Sequence, residues 1–381
     1  MPPINFLYVI TKLELGGAQK QLLSLIRHLD KEKFRVFLLT AQRGVLFPEA
    51  LSIKGLTVRR SRWLERSINP LKDFLALIEV YSFIKKNKIE FVHTHSSKAG
   101  ILGRVAARWA KAKVVIHTVH GWSFNDYQPL LKRLCFIWLE RLTARYTDKI
   151  IVVSGYDLQI GINKRIGTEA KYEIIRYGID YAEFNLGKRD LRQELGVGMN
   201  DLLVGMVACF KPQKAPQDFI KLAFLISRAL PDVKFVLAGD GVLRKKIEKL
   251  ISDNKLQRKF FLMGWRRDIP EILSAIDVFV LTSLWEGLPI SVLEAMASSK
   301  PVVSTDTGGI REVISDGRNG FLFARHDMET MSDRVVALLR NEGLRRKIGI
   351  DAKNSLRDGY CLENMVRDTE NLYCRFIPEK D

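Results

Sequence analysis

Residues 278–297 read Val-Phe-Val-Leu-Thr-Ser-Leu-Trp-Glu-Gly-Leu-Pro-Ile-Ser-Val-Leu-Glu-Ala-Met-Ala. The apolar, β-rich run from Val278 to Leu281 stops at Thr282-Ser283, and a Glu-Gly-Leu-Pro turn follows. Val292, Leu293 and Met296 then fall at the spacing of one buried helical face. Pro289 suits a first helical position, where its missing N–H costs nothing, and Gly287 lets a ligand approach the backbone closely. The helix start offers free N–H groups and a positive dipole end, a place for phosphate. Glu286 closes the strand and Glu294 lies about a turn into the helix, so these carboxylates suit sugar or ribose hydroxyls better than phosphates.

Outward from this stretch the same alternation runs through the whole chain. Residues 4–11, 35–40, 91–95, 114–119 and 150–154 read as strands of one sheet. Residues 203–208, 234–238, 260–263, 278–281 and 301–304 read as strands of a second. Their near-continuous apolar character indicates parallel strands covered on both faces. Helical patterns fill the gaps, which gives an α/β chain of two doubly wound, Rossmann-like domains, 1–185 and 186–355. A helical segment, 356–381, ends the chain.

The 381 residues are too many for one ordinary core, and 47% hydrophobic with 27% charged residues is the balance of a globular protein. Cys135, Cys209, Cys361 and Cys374 show no metal-ligand or Cys-x-x-Cys spacing and read as reduced, mostly buried thiols of a cytosolic protein. No apolar run approaches the ~20 residues that span a bilayer. The net charge of +18 is lopsided: 30 Lys+Arg stand against 15 Asp+Glu through residue 182, and 31 against 28 thereafter. An excess confined to the first half points to an anionic partner there, whether nucleic acid, lipid headgroups or a phosphorylated acceptor.

Several strand ends carry candidate chemistry. Gly16-Gly17 after the opening strand permits close approach of a ligand, without the spacing of a dinucleotide fingerprint. Residues 59–66, Arg-Arg-Ser-Arg-Trp-Leu-Glu-Arg, read either as a solvated loop or as a membrane-interface contact. Residues 130–147 pose the same choice; Leu131, Leu134, Trp138, Leu142 and Tyr146 share a helical face, and that face is expected to pack inward. His93 and His95 alternate on one face of a strand, weak evidence for a metal. Ser96, Ser97 and Lys98 beyond them could bind an anion. In the second half Lys211 and Lys214 beside a helix start could neutralise a diphosphate leaving group.

Together these stretches resemble the retaining, nucleotide-sugar-dependent glycosyltransferases of family four, of bacterial polysaccharide and lipopolysaccharide type. The two-glutamate block at 286–294 and the Thr307-Gly308-Gly309 loop carry the resemblance most specifically. It implies the GT-B fold, two Rossmann-like domains facing across a cleft, with the acceptor on the first and the nucleotide-sugar on the second. The last helix is expected to cross back to the first domain. By the same resemblance Glu294 binds the donor ribose, Glu286 meets hydroxyls of the donor sugar, and Gly287, Leu288, Pro289 and Ile290 offer backbone N–H groups. Gly16 and Gly17 lie against the donor phosphates and the acceptor, and His120, in His117-Thr-Val-His120-Gly, meets the sugar at the reaction centre. Trp265 and Arg266, just after Gly264, sit where the family's backbone clasps the base. Lys214 matches the family's diphosphate-binding lysine, but Cys209 takes the place of its arginine and Ala215 that of its glycine, so Lys211 is expected to supply the second cation.

The expected activity is metal-independent, retaining transfer of a hexose-type sugar from a nucleotide-sugar to a lipid-linked or saccharide acceptor. His120, Glu286 and Lys214 are the catalytic candidates. No Asp-x-Asp occurs and no cofactor or metal is expected; UDP is the first choice of donor nucleotide, ahead of GDP and ADP. The chain is expected to be cytoplasmic and peripheral on the inner face of the cell membrane, held by an anionic surface and not by nucleic acid. A non-hydrolysing nucleotide-sugar epimerase shares the fold and would need no acceptor. A dehydrogenase lacks its fingerprint here, and a basic nucleic-acid-binding protein lacks a recognisable motif.

Overall fold

A computed structural model of the chain describes residues 2–184, 191–356 and 359–378. The expected boundary at 185/186 lies outside the described residues. The chain folds as two compact units, Met1–Gly178 with Leu362–Asp381, and Ile179–Cys361.

The first unit runs β1 (Ile4–Ile10), α1 (Gly17–His28), β2 (Phe34–Ala41), α2 (Phe47–Ser52), β3 (Leu56–Ser61), α3 (Pro70–Lys86) and β4 (Phe91–His95). It continues α4 (Ser97–Ala110), β5 (Val114–Val119), α5 (Leu130–Ala144), β6 (Lys149–Val152), α6 (Gly155–Asn163) and β7 (Tyr172–Ile174). All seven strands are parallel, in the order β3-β2-β1-β4-β5-β6-β7. Right-handed crossovers put α1 and α2 on one face and α3, α4 and α5 on the other. Alternate residues of β1 therefore feed separate cores: Phe6, Tyr8 and Ile10 pack with α1 and α2, while Leu7 and Val9 pack with α3 and α4.

The second unit runs α7 (Leu191–Glu194), β8 (Leu203–Val207), α8 (Pro216–Ala229), β9 (Lys234–Ala238), α9 (Arg244–Asp253), β10 (Phe260–Gly264) and α10 (Ile269–Ala275). Then come β11 (Val278–Leu281), α11 (Ile290–Ala297), β12 (Val302–Thr305), β13 (Phe321–Phe323), α12 (Met328–Arg340) and α13 (Glu342–Leu356). Its six strands are again all parallel, in the order β10-β9-β8-β11-β12-β13. The last helix, α14 (Leu362–Cys374), belongs to the first unit, where Leu362, Met365, Val366, Leu372 and Tyr373 join the core with Phe6 and Phe34.

Four sequence readings are corrected. Strands β3, β7 and β13 were not expected: β3 carries Arg59 and Arg60, and β7 and β13 have three residues each. Residues 59–61 thus end an edge strand whose charges discourage further pairing, and only the residues after Ser61 form a loop. The apolar stripe of α5 does not pack inward: Leu131, Leu134 and Trp138 are 82%, 51% and 60% exposed. The helix instead buries Ile137, Glu140, Thr143 and Ala144, because Glu140 is bound by the fully buried Arg104 of α4 (2.6 Å). The cysteines are not mostly buried; Cys135 and Cys374 are exposed and Cys209 and Cys361 half-buried.

Candidate functional site

In the second unit β8 and β11 are neighbours in space but not in sequence, so the sheet reverses its order between them. Ligands of doubly wound sheets bind beyond the strand ends at such a point. The chain leaving β8 makes one short turn, Pro212–Lys214, and the chain leaving β11 runs through Thr282–Pro289. Hydrogen bonds join the two. Leu284 N donates to Gln213 O (2.8 Å) and Gln213 Nε2 to Trp285 O (3.0 Å). Thr282 Oγ1 donates to the carbonyls of Lys214 (3.2 Å) and Ala215 (3.0 Å). Above this framework the Lys214 ammonium is ion-paired with the Glu286 carboxylate, both side chains largely shielded from solvent. Each charge would be costly to bury alone, so the pairing offsets that cost and fixes both side chains in place.

A second loop clamps the turn from the other side. Gly308 adopts φ +60°, and a Cβ there would lie 2.2 Å from the Glu286 carbonyl oxygen. Gly309 N donates to Gly287 O (2.6 Å). Gly287, Leu288 and Pro289 are thereby held leading into α11, with Pro289 as its N-cap and Ile290 as its first residue. Glu294 is buried on the next turn. Lys211, half-buried, makes no ion pair among the described residues, which leaves its ammonium available at the same strand end as Lys214. Ala215 sits in the left-handed region (φ 41°, ψ 53°), a conformation that costs a non-glycine residue about 1–2 kcal/mol and marks the place where glycine would be easier.

Trp265 and Arg266 follow β10, two strands from β8 along the same carboxyl edge. Trp265 is 45% exposed. The Arg266 guanidinium is bound to Asp268 and to Glu194 (2.7 Å), and these carboxylates raise its pKa further; its side chain is thus committed within the protein, leaving Trp265 and the backbone to a ligand.

In the first unit the reversal lies between β1 and β4. Gly16 is the N-cap of α1, in extended backbone, and Gly17 opens that helix. Across the switch point Thr11 Oγ1 and Ser96 Oγ are 2.8 Å apart, and Ala99 N donates to Thr11 Oγ1 (3.2 Å), so Ser96, a candidate anion ligand by sequence, instead fastens the two strand ends together with Thr11. Lys98 is bound to Asp73 of α3 and is therefore not a free anion site.

His120 follows β5, with both ring nitrogens engaged: Nε2 lies 2.9 Å from His95 Nδ1, and Nδ1 lies 2.9 Å from the Tyr177 hydroxyl. The proton directions along this line are coupled. If Tyr177 donates to His120, then His120 must donate to His95, and reversing one bond reverses the other. His93, beside His95 on β4, bonds to Tyr373 of α14 (2.6 Å) and to Thr118 (2.7 Å), which explains it as a structural histidine rather than a metal ligand. His117 is held by Thr94 on the opposite face. Burial holds His93, His95 and His117 well below the usual histidine range and pulls His120 down to about 3, so all four are neutral near pH 7. His93, His95, His120 and Tyr177 line a cavity of ≈ 30 Å³, room for a water or two. Tyr177 could not be found from local sequence, since it lies 57 residues from its partner.

Two doubly wound parallel sheets, each with its own switch point, are the architecture of the GT-B glycosyltransferases. The chain belongs to glycosyltransferase family 4. Residues 15–183 match the family model described as Glycosyltransferase Family 4, and residues 187–355 match that described as Glycosyl transferases group 1. A UDP-Gal:alpha-D-GlcNAc-diphosphoundecaprenol alpha-1,3-galactosyltransferase of Escherichia coli is 33% identical over 96% of this chain and 95% of its own. An N,N'-diacetylbacillosaminyl-diphospho-undecaprenol alpha-1,3-N-acetylgalactosaminyltransferase of Campylobacter jejuni is 27% identical over 88% and 89%. Among solved structures, Anabaena HepE in complex with UDP and glucose shares the fold with a TM-score of 0.84, at 19% identity over 97% of this chain and 99% of that one.

Proposed function

We propose that this glycosyltransferase moves a hexose, with retention of anomeric configuration and without a metal ion, from a UDP-sugar to a saccharide carried on a lipid diphosphate. The observation that carries the reading is the placement of Lys214, Lys211 and Glu286 on the two sides of the second unit's switch point. In this reading the diphosphate of the donor draws the Lys214 ammonium from Glu286, which frees that carboxylate for hydroxyls of the sugar. As the bond from the anomeric carbon to the diphosphate oxygen breaks, negative charge grows on the leaving phosphate, and Lys214 and Lys211 stabilise it. The sugar passes through an oxocarbenium-like state and bonds to the oxygen of the acceptor hydroxyl, whose proton passes to the departing diphosphate oxygen. Backbone N–H groups at Gly287–Ile290 face the same charge, Glu294 holds the ribose, and the backbone at Trp265-Arg266 holds the base. Gly16 and Gly17 open the first unit to phosphate, and His120 serves as a neutral contact to the transferred sugar. Lipid-diphosphate-linked substrates appear in the names of both the Escherichia coli and the Campylobacter jejuni relatives, which supports the acceptor class. Such an acceptor places the enzyme peripherally on the anionic inner face of the cell membrane. No helix among the described residues is long and apolar enough to cross it.

The test is transfer from UDP-galactose, UDP-glucose and their N-acetyl forms to a lipid-diphosphate-linked N-acetylhexosamine, with the product anomer read by proton NMR, with and without EDTA. An α-linked product formed at the same rate in EDTA is expected. A β-linked product would overturn retention, an EDTA-sensitive rate would overturn metal independence, and no transfer from any of these donors would overturn the substrate assignment.

A further inference from the structure

We infer that the outward faces of α3 and α5 form a docking surface for an anionic lipid bilayer. On α5 the exposed side chains of Leu131, Leu134 and Trp138 lie at i, i+3 and i+7, one stripe of the helix. On α3 Leu71, Phe74 and Ile78 repeat the pattern and are 70%, 56% and 39% exposed. Helix α4 packs against both, so the three helices form one layer on one face of the sheet. All three begin at the carboxyl edge of the strands, the edge that also carries Gly16, Gly17 and His120. The apolar side chains run from the first turn to the middle of each of the two outer helices, so each stripe starts at that edge.

A surface helix that buries its polar Glu140 and exposes Leu, Leu and Trp has its polarity inverted relative to a helix whose outer face meets water. The occupant is selected by charge. The apolar stripe is continued by the exposed Arg141 of α5 and Arg145 at its C-cap, and the loop before α3 presents exposed Arg62, and Arg66 3.6 Å from Glu14, beside Trp63. The nearby carboxylates are already engaged: Glu65 with Lys72, Asp73 with Lys98, Asp126 with Arg133, and Glu79 with Ser61 and the Arg62 N–H. What faces outward is therefore apolar and cationic together. That combination matches acyl chains beneath phosphate headgroups, with Trp at the boundary between them. The inference deepens the proposed function and rests on it for its purpose, since an acceptor whose lipid lies in the bilayer would present its diphosphate at this edge.

The test is co-sedimentation of the full chain with vesicles of phosphatidylcholine alone or mixed with phosphatidylglycerol, at low salt. The wild type, Leu131→Ser/Trp138→Ser, Phe74→Ser/Ile78→Ser and Arg141→Gln/Arg145→Gln are compared. Val242→Ser, which changes an exposed apolar residue of the second unit, is the control. The wild type and the control are expected to pellet with phosphatidylglycerol vesicles, and each double variant to lose at least about tenfold in apparent affinity with an unchanged melting temperature. Transfer to a water-soluble, short-chain diphosphate acceptor is expected to be unaffected in the variants, and transfer to the long-chain acceptor in vesicles to fall. Failure of the wild type to pellet, or equal pelleting of the variants, would overturn the inference. So would a wild-type dimer that the substitutions convert to monomer, because the stripes would then be a subunit interface. Vesicle binding that is lost in the variants, with no transfer to either acceptor by the wild type, would support the surface and refute the acceptor reading.

Discussion

Lys214 and Glu286 lie 72 residues apart in the chain and meet because two strands that are distant in sequence sit side by side in the sheet. The types and local spacing of both residues were legible in the sequence, since each ends a strand and precedes a helix start. Their pairing was not, because nothing local specifies which strand ends become neighbours. The histidines show the same limit. His120 stood out by its neighbours in sequence, whereas the coupling of His95, His120 and Tyr177 depends on β4, β5 and the segment after β7 converging. The burial of these rings has a thermodynamic consequence. Four histidines have folded-state pKa values below the usual 6.5, mainly through burial, so below about pH 6.5 the unfolded chain binds more protons than the folded one. Stability is then lost as the pH falls through and below that value, by up to about 1.4 kcal/mol per pH unit for each histidine, and for His120 the loss continues toward about 3. Urea unfolding midpoints of the first unit's signal are expected to fall between about pH 7 and 5, and His93→Gln is expected to make the fall shallower. A midpoint that does not move over that range would contradict the burial of neutral histidines.

At the scale of the element, α5 shows why periodicity alone misassigned a face. The spacing of Leu131, Leu134 and Trp138 is that of a core-facing stripe, and pattern reading cannot tell which side of a helix meets the sheet. The decision is made by Arg104 and Glu140, which are 0% and 3% exposed at the side chain and bind to each other on the buried side. A carboxylate in the middle of an apolar segment reads as a solvent-facing residue unless its partner is known, and here that partner is 36 residues away. Removing one member of a buried pair leaves the other uncompensated, at about 3–5 kcal/mol. Glu140→Ala is therefore expected to destabilise the protein by about that amount in chemical denaturation, and Arg104→Met/Glu140→Leu to recover most of the loss. If Glu140→Ala cost less than about 1 kcal/mol, the pair would behave as a solvent-exposed one and the orientation of α5 would be in doubt. The short strands were illegible for simpler reasons. Three residues cannot establish an alternation in β7 or β13, and the arginines of β3 mask an edge strand.

At the scale of the whole molecule, the alternation of apolar strands and amphipathic helices was enough to read two doubly wound parallel sheets, and the asymmetry of charge is the sequence feature behind the proposal of an anionic partner for the first half. Helix α14 completes the first unit although it follows the second in sequence. Tyr373 is fully buried there, bonded to His93 and to Tyr8, and Leu372 is fully buried beside it. Each such side chain contributes about 1.5–3 kcal/mol by burial, so losing five of them would consume most of a domain's stability of about 5–15 kcal/mol. A chain ending at Cys361 is expected to lose the cooperative unfolding of its first unit, read by calorimetry; retention of both wild-type transitions would show that α14 is dispensable. In the proposed reaction a cation, aligned by a carboxylate at the second unit's switch point, stabilises the charge growing on a departing diphosphate. The most direct test is kcat/KM for transfer from a UDP-sugar to a lipid-diphosphate acceptor by the intact chain, Lys214→Ala and Glu286→Gln. We expect Lys214→Ala to lose about 2–4 kcal/mol of transition-state stabilisation, on the order of thirtyfold to a thousandfold in rate, and Glu286→Gln also to lose activity, both measured at a temperature where circular dichroism shows the variants folded. Rates for both variants within about threefold of wild type would contradict it.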